Sequence, residues 1–567
     1  MNILFDALVA PLETRSDAVL IRPDDSEVTG QQLFELSGQI ANILRDAGVK
    51  PGHRVAMQCE KSVEALALYL ACLRVGSLFL PLNTAYMPAE MEYFVGDAEP
   101  TVVVSSIQAA DQMASICANH NATLFTLGES SDGTLMDAAR AALKDCPVAE
   151  RGPDDLAVIL YTSGTTGRSK GAMLSHKNLL SNAQSLSEAW RFTSEDRLLH
   201  ALPIFHAHGL FVAVNVSLNV GASMIFLPKF DIDVVMDKIG NATTMMGVPT
   251  FYTRMLADKR CTPKNLGHMR LFVSGSAPLL AETHREFEAK TGQRILERYG
   301  MTETTMNSSN PYDGERRAGT VGFPLPNIEL RVVDPQTGDE LPNGDIGNLE
   351  VRGPNVFQGY WRMPEKTAED FRDDGFFITG DIAKFDQDGY ITIIGRSKDL
   401  VISGGYNVYP KEVESEIDDL DGVDESAVIG VPHPDFGEAV VAVVVPHSGV
   451  TLEAGQIISP LQQRLAKFKC PKTVFFVDAL PRNTMGKVQK NILRDSYGDV
   501  FQAEGRLKAP GLHAGRSAGF ANQFCRFNTG KCRCFVIVGC VARNTDGAQQ
   551  GAIGITDQYA AWYWHKI

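Results

Sequence analysis

Apolar residues recur at helical spacing over residues 33–47 and 62–75, and gather into short strand-length runs over 54–57 and 101–104. Helices and strands in alternation predict a layered α/β domain with parallel pairing. Further strand patterns follow at 156–161, 222–227 and 245–248. Val248-Pro249-Thr250 opens a helix that carries Arg254, and 271–280 is a strand running through a small-residue turn into a helix. A smaller module follows, with helices over 410–417 and 460–466 and strands over 427–431, 440–445 and 474–477.

Length and composition narrow the class. A chain of 567 residues exceeds one core and predicts a large domain plus a smaller one. With 44% apolar and 21% charged residues it is ordinarily globular, and its net charge of −15 argues against nucleic acid or an anionic membrane as partner. The N-terminus lacks a secretory pattern and no run approaches a membrane span, so a cytoplasmic protein is expected. Six cysteines scattered from Cys59 to Cys470 suggest free thiols in a reducing compartment.

The apolar run 156–161 empties into Thr162-Ser163-Gly164-Thr165-Thr166-Gly167-Arg168-Ser169-Lys170-Gly171. Glycines allow successive N–H groups to form one concavity, hydroxyls add donors, and Arg168 and Lys170 supply charge, which suits a polyphosphate. It is not the G-x-x-x-x-G-K-[ST] loop, and the competing possibility is a flexible surface turn.

His200, His206 and His208 lie close together. His206-x-His208 could ligate a metal, but no further ligands are evident nearby, which favours a pocket-lining role for His206 and a structural one for His200. The small turn Gly275-Ser276-Ala277 would let a flat ring approach the backbone, or is only a tight turn. Tyr299 offers a ring face, Gly300 a close backbone, Thr302 a hydroxyl, and Glu303 a carboxylate suited to Mg²⁺. Asp381 and Arg396 could hold sugar and phosphate oxygens or form a structural ion pair.

The string YTSGTTGRSKG, with YGMTE at 299–303, resembles the signatures of the adenylate-forming enzymes, the superfamily of acyl-CoA synthetases, luciferases and peptide-synthetase adenylation domains. The resemblance spans residues 1 to about 499. It implies a large multi-layer AMP-binding domain, 1–397, and a smaller mobile α+β domain, 398–500, joined at the hinge Lys398-Asp399. It implies that ATP is held by Thr162, Ser163, Gly164, Thr165, Thr166, Gly167 and Lys170. Gly275, Ser276 and Ala277 would border the adenine, with Glu297, Tyr299, Gly300 and Thr302 also along the nucleotide, Asp381 and Arg396 at the ribose, and Glu303 at Mg²⁺. The motif PRNTMGKVQKNILR matches the catalytic-lysine motif, with Lys487 in the role and Lys490 the weaker neighbour. Gly404-Gly405 would meet coenzyme A after adenylation.

The resemblance implies that Arg298 lies where this signature passes the acyl pocket. A guanidinium there suits a second carboxylate, with an ion pair to Glu297 or Glu303 as the alternative. His206 and Arg254 join it as expected carboxylate contacts. The strings LYTSGTTGRSKGAMLSH, HALPIFHAHGL, SGSAPLL and ERYGMTET are similar to malonyl-CoA synthetases, which implies malonate as the acid, with methylmalonate, oxalate or acetate as alternatives. Residues 501–567 show little amphipathic order. Their Cys525, Cys532, Cys534 and Cys540 could hold zinc, or the segment is a translated frameshift without function.

Overall fold

A computed structural model of the protein describes residues 1–162, 169–483 and 486–501, and among these four β-sheets with their covering helices build the fold. Short Val-, Leu- and Ile-rich runs without alternation become strands buried on both faces, as parallel sheets require. One sheet has six strands, ordered Thr123–Thr126, Val102–Ser105, Arg54–Gln58, Leu78–Pro81, Leu156–Tyr161 and Gly171–Ser175. All its pairs are parallel except the last. The second has nine strands, with Thr244–Gly247 between Leu271–Ser274 and Arg197–His200 at its parallel centre.

Register in this second sheet decides where a site can form. Met246 is paired with His200, Gly247 with Ser274, and Ser274 with Glu297, so the carboxyl ends of three strands stop at one level, while the strand of Glu297 runs on to Met301. Ligands of open α/β sheets bind outside that edge. A four-stranded antiparallel sheet, Glu329–Val333 to Ile391–Arg396, completes the large N-terminal domain. The smaller C-terminal domain carries a five-stranded sheet built on the hairpin Val423–His433 and Gly437–Pro446. The single turn Ser397–Asp399 lies between the two.

The helix Val63–Val75 differs from the expectation of one apolar face: all thirteen residues are buried. Ser62 caps it by accepting from Ala65 N–H, and Gly76, at φ 71°, ends it in the left-handed conformation. Its two charged residues have distant partners: Glu64 accepts from Ser131 Oγ at 2.5 Å and lies 3.8 Å from Arg22, and Arg74 donates to Cys146 O at 2.7 Å and lies 3.5 Å from Asp145. The helix expected at 460–466 begins earlier, as Ala454–Arg464, with Pro460 inside it. Proline commonly marks a first turn. Here the start is instead set by Gln456, whose side chain accepts from Glu453 N–H at 2.8 Å.

Cys59, Cys72, Cys117, Cys146, Cys261 and Cys470 are free and buried. The four cysteines of 501–567 lie outside the described residues. No described helix is long and apolar enough to cross a membrane. Because Leu70 is fully buried in the enclosed helix, Leu70→Ala should destabilise the protein by about 2–5 kcal/mol, measured as a lowered urea midpoint.

Candidate active site

Two strands flank the Gly/Ser/Thr loop, Leu156–Tyr161 entering and Gly171–Ser175 leaving. Ser163, Gly164, Thr165, Thr166, Gly167 and Arg168 lie outside the described residues. At the neck, Thr162 N–H donates to Lys170 O at 2.9 Å. The Lys170 ammonium sits 4.0 Å from the Tyr360 ring centre and 3.9 Å from Asp370.

Asp381 and Arg396 face one another across an antiparallel pair and form an ion pair at 2.7 Å. Tyr299 O–H donates to the other oxygen of Asp381, and Arg396 also donates to Thr379 O at 3.1 Å. The Asp381 carboxylate holds the Arg396 pKa above its usual value, while burial and the same carboxylate push the Tyr299 phenol up. The expected pair of ribose contacts is thus also an ion pair. Each partner keeps capacity, since a carboxylate has about four acceptor positions and a guanidinium five donors.

Glu303 is buried and accepts from Tyr360 O–H at 3.1 Å. Burial raises its pKa, opposed by Arg396 and Lys170. One oxygen-rich carboxylate whose ionised form is under-solvated fits Mg²⁺, which takes few protein ligands and keeps its waters. Gly300 packs against the next strand so closely that a Cβ would stand 1.9 Å from Thr305 O, and Thr302 occupies the turn between them.

Strand alternation sends neighbouring side chains to opposite faces, so Glu297 points away from Arg298. Glu297 is buried, accepts from Leu279 N–H at 3.0 Å with one oxygen, and has no partner for the other. Arg298 is 3% exposed, and its Nε and Nη2 have no hydrogen-bond partner. No carboxylate among the described residues forms an ion pair with it, so the Glu297 and Glu303 alternatives are not realised. Burial lowers its pKa to about 9, which leaves it cationic at neutral pH.

Gly275 lies against this guanidinium, where a Cβ would stand 2.2 Å from Cζ. Ser276 follows at φ 71° and lies 3.1 Å from His208 Nδ1, with Ala277 half-buried after it. His206 is half-buried, and its Nδ1 accepts from His208 N–H at 3.3 Å. Burial and the Arg298 charge hold its pKa at about 4, so the ring is neutral. No three His, Cys, Asp or Glu among the described residues are grouped to hold a metal, which leaves the His206-x-His208 metal alternative without support. Both ring nitrogens of His200 are engaged, one with Lys61 Nζ at 2.8 Å and the other with Gly209 O at 2.8 Å. Arg254 does not share this enclosure: it is exposed, 5.9 Å from the Phe230 ring centre, because it lies on the outer side of the helix that buries Tyr252.

Lys487 stands at the end of a tight loop. Asn483 N–H donates to Lys487 O, and Lys487 N–H to Asn483 Oδ1, each at 2.9 Å. The side chain is exposed, and its pKa is lowered by desolvation and by Arg396, an effect that solvent screening limits. Asp381, Asp399 and His206 also lie within its electrostatic reach. Lys490, by contrast, is committed to Glu414 at 2.5 Å. Gly404 and Gly405 form an exposed turn at φ 59° and 83°, and Asp399 is ion-paired with Arg494. Tyr360, Asp370 and His208's bond to Ser276 escaped sequence reasoning; only the spacing of the HAH triplet hinted at His208.

Comparison with known proteins follows the same outline. A profile described as AMP-binding enzyme matches residues 10–361, and one described as AMP-binding enzyme C-terminal domain matches 412–487. A malonate–CoA ligase of Arabidopsis thaliana is 34% identical over 512 residues, covering 84% of this chain and 82% of its own. A feruloyl-CoA synthase of an Amycolatopsis species is 36% identical over 486 residues, covering 85% of this chain and 96% of its own. The crystal structure of ATP-bound MatB from Rhodopseudomonas palustris superposes with a TM-score of 0.87 at 59% identity, over 88% of this chain and 100% of that one.

Glu297 generates a pH test. Burial raises its carboxyl from 4.5 to about 7, so between those values the folded protein keeps a proton that the unfolded chain has released, and stability falls as pH rises. Glu297→Gln removes that drift. Its stability relative to the parent should climb by about 3 kcal/mol from pH 4.5 to 7 in denaturant titrations; parallel pH profiles would refute it.

Proposed function

The chain belongs to the AMP-binding enzyme family, and from that premise we propose that this adenylate-forming acid–thiol ligase acts on malonate. A carboxylate is a poor electrophile because attack would have to expel oxide. Its oxygen therefore attacks the α-phosphorus of ATP, breaking the α–β phosphoanhydride to yield malonyl-AMP and pyrophosphate. The thiol of coenzyme A then displaces AMP and gives malonyl-CoA, its proton passing to solvent.

The observation that carries the choice of acid is the buried Arg298 guanidinium with unpartnered donors and no carboxylate paired to it. A second carboxylate on the substrate would complete it in a bidentate fork. His206, neutral beside it, adds a polar wall without a competing charge. The similarity to a malonate–CoA ligase and to MatB supports the same choice. Methylmalonate would follow as a secondary substrate, since one methyl changes discrimination by only ~1–3 kcal/mol.

Two anions must meet in the first step. Lys170 and the hydroxyl-rich loop would hold the phosphates, and Glu303 would hold the Mg²⁺ that neutralises them. Asp381 and Arg396 would take the ribose, and Gly275, Ser276, Ala277, Glu297, Tyr299, Gly300 and Thr302 would line the nucleotide. Lys487 would bridge the incoming carboxylate and the α-phosphate. For the thiol step the small domain, 398–500, would turn about Lys398-Asp399, withdrawing Lys487 and presenting Gly404-Gly405 to coenzyme A.

Arg298→Ala should lower malonate-dependent AMP release by ~10²-fold and raise the relative use of acetate or butyrate across a panel of short mono- and diacids, since a buried charge-assisted contact is lost. Unchanged selectivity would remove malonate from consideration. Lys487→Ala should lower pyrophosphate–ATP exchange by ~10²–10³-fold while sparing thioester formation from supplied malonyl-AMP; equal loss in both half-reactions would contradict the bridging role.

A further inference from the structure

Lys61 sits between the strand Arg54–Gln58 and the helix Val63–Val75, on the six-stranded sheet, yet its amine is buried against the carboxyl ends of two inner strands of the nine-stranded one, Arg197–His200 and Ser223–Phe226. Nζ donates to His200 O at 2.9 Å, lies 2.8 Å from His200 Nδ1 and stands 4.2 Å from the Phe226 ring centre. No carboxylate among the described residues forms an ion pair with it. Burial pushes the pKa of this amine well down, and a lysine withdrawn from water with only His200 and an aromatic ring as neighbours calls for a reason.

The other ring nitrogen, His200 Nε2, lies 2.8 Å from Gly209 O. Only a ring N–H can meet a carbonyl, so Nε2 carries the proton and Nδ1 is the acceptor for Lys61. Gly209 belongs to the π-helical segment His208–Val214, a conformation that is rare and concentrated at functional sites. Its position leaves no freedom, since a Cβ there would stand 1.9 Å from Pro203 O. At the head of the segment, His208 holds Ser276 at 3.1 Å in a left-handed conformation that serine rarely adopts. The residue before it, Gly275, is the surface on which the Arg298 guanidinium rests, and its N–H donates to Gly247 O at 3.2 Å.

We propose that Lys61 is a positioning residue for acid selection, acting through His200, the Gly209 carbonyl, His208 and Ser276 to fix the wall against which Arg298 is aimed. The proposal rests on Arg298 binding the second carboxylate of the substrate. Lys61 itself touches no substrate; it braces one sheet's edge against the other so that the unpaired guanidinium keeps its direction.

Lys61→Met keeps the length of the side chain and removes its donor. The expected result is an about tenfold fall in kcat/KM for malonate, carried by KM for malonate with KM for ATP unchanged, and the same fall in the malonate-to-butyrate ratio. In the Lys61→Met/Arg298→Ala double variant the lysine change should cost nothing further, because both act on one contact. Additive losses, or equal losses for malonate and butyrate in the single variant, overturn the proposal. If Lys61→Met does not fold, Ser276→Ala cuts the same chain nearer to Arg298 and must lower the same ratio; an unchanged ratio overturns it. An Arg298→Ala variant that keeps malonate selectivity defeats the dicarboxylate function and this proposal together, whereas loss in Arg298→Ala with none in Lys61→Met defeats this one alone.

Discussion

A guanidinium withdrawn from water, with no carboxylate paired to it among the described residues, is the constraint on which the proposed acid side of the site depends. Arg298 is 3% exposed in a protein whose net charge is −15, so carboxylates are abundant and their exclusion from this point is structural. Desolvation of an unpaired ion costs several kcal/mol, and a fold tolerates it only where its rigid parts leave the side chain no route to solvent. Here the strand Ile295–Met301 pins the backbone and Gly275 flanks the guanidinium. A ligand carboxylate would recover what burial withholds.

The proposed nucleotide side uses the opposite device. Asp381 with Arg396, Glu303 with Tyr360, and Lys170 with Asp370 and the Tyr360 ring are charges or dipoles already engaged with one another. Such groups are oriented before any substrate arrives, so they need no reorganisation at the moment of reaction. On the proposed function, paired charges would hold position while the unpaired one would select. The two halves meet near Lys487, whose ammonium feels both the Arg396–Asp381 pair and the histidine beside Arg298.

Much of the chain's organisation is legible in its sequence. Apolar runs of strand length, alternating with helical periodicity, suffice for a layered α/β architecture, because parallel sheets need strands apolar on both faces. The Gly/Ser/Thr loop, the Tyr299–Glu303 string and the Lys487 motif are local, so their chemistry can be seen without a fold. Periodicity failed where enclosure came from several elements at once: Val63–Val75 is buried on every side, and its Glu64 and Arg74 are tolerated through partners 67 and 72 residues away.

What only the tertiary structure decided is which charges find each other. Glu297 adjoins Arg298 in sequence and is its natural partner on paper, but strand alternation turns it to the opposite face. Arg254 is expected beside the carboxylate from its sequence, and helix phase leaves it in water. Lys61 finds His200 across 139 residues because two sheets abut there. Sequence carries residue type and local period, which settle elements and candidate chemistry; pairing is set by distances in space, and those exist only once strands are in register and the sheets are packed.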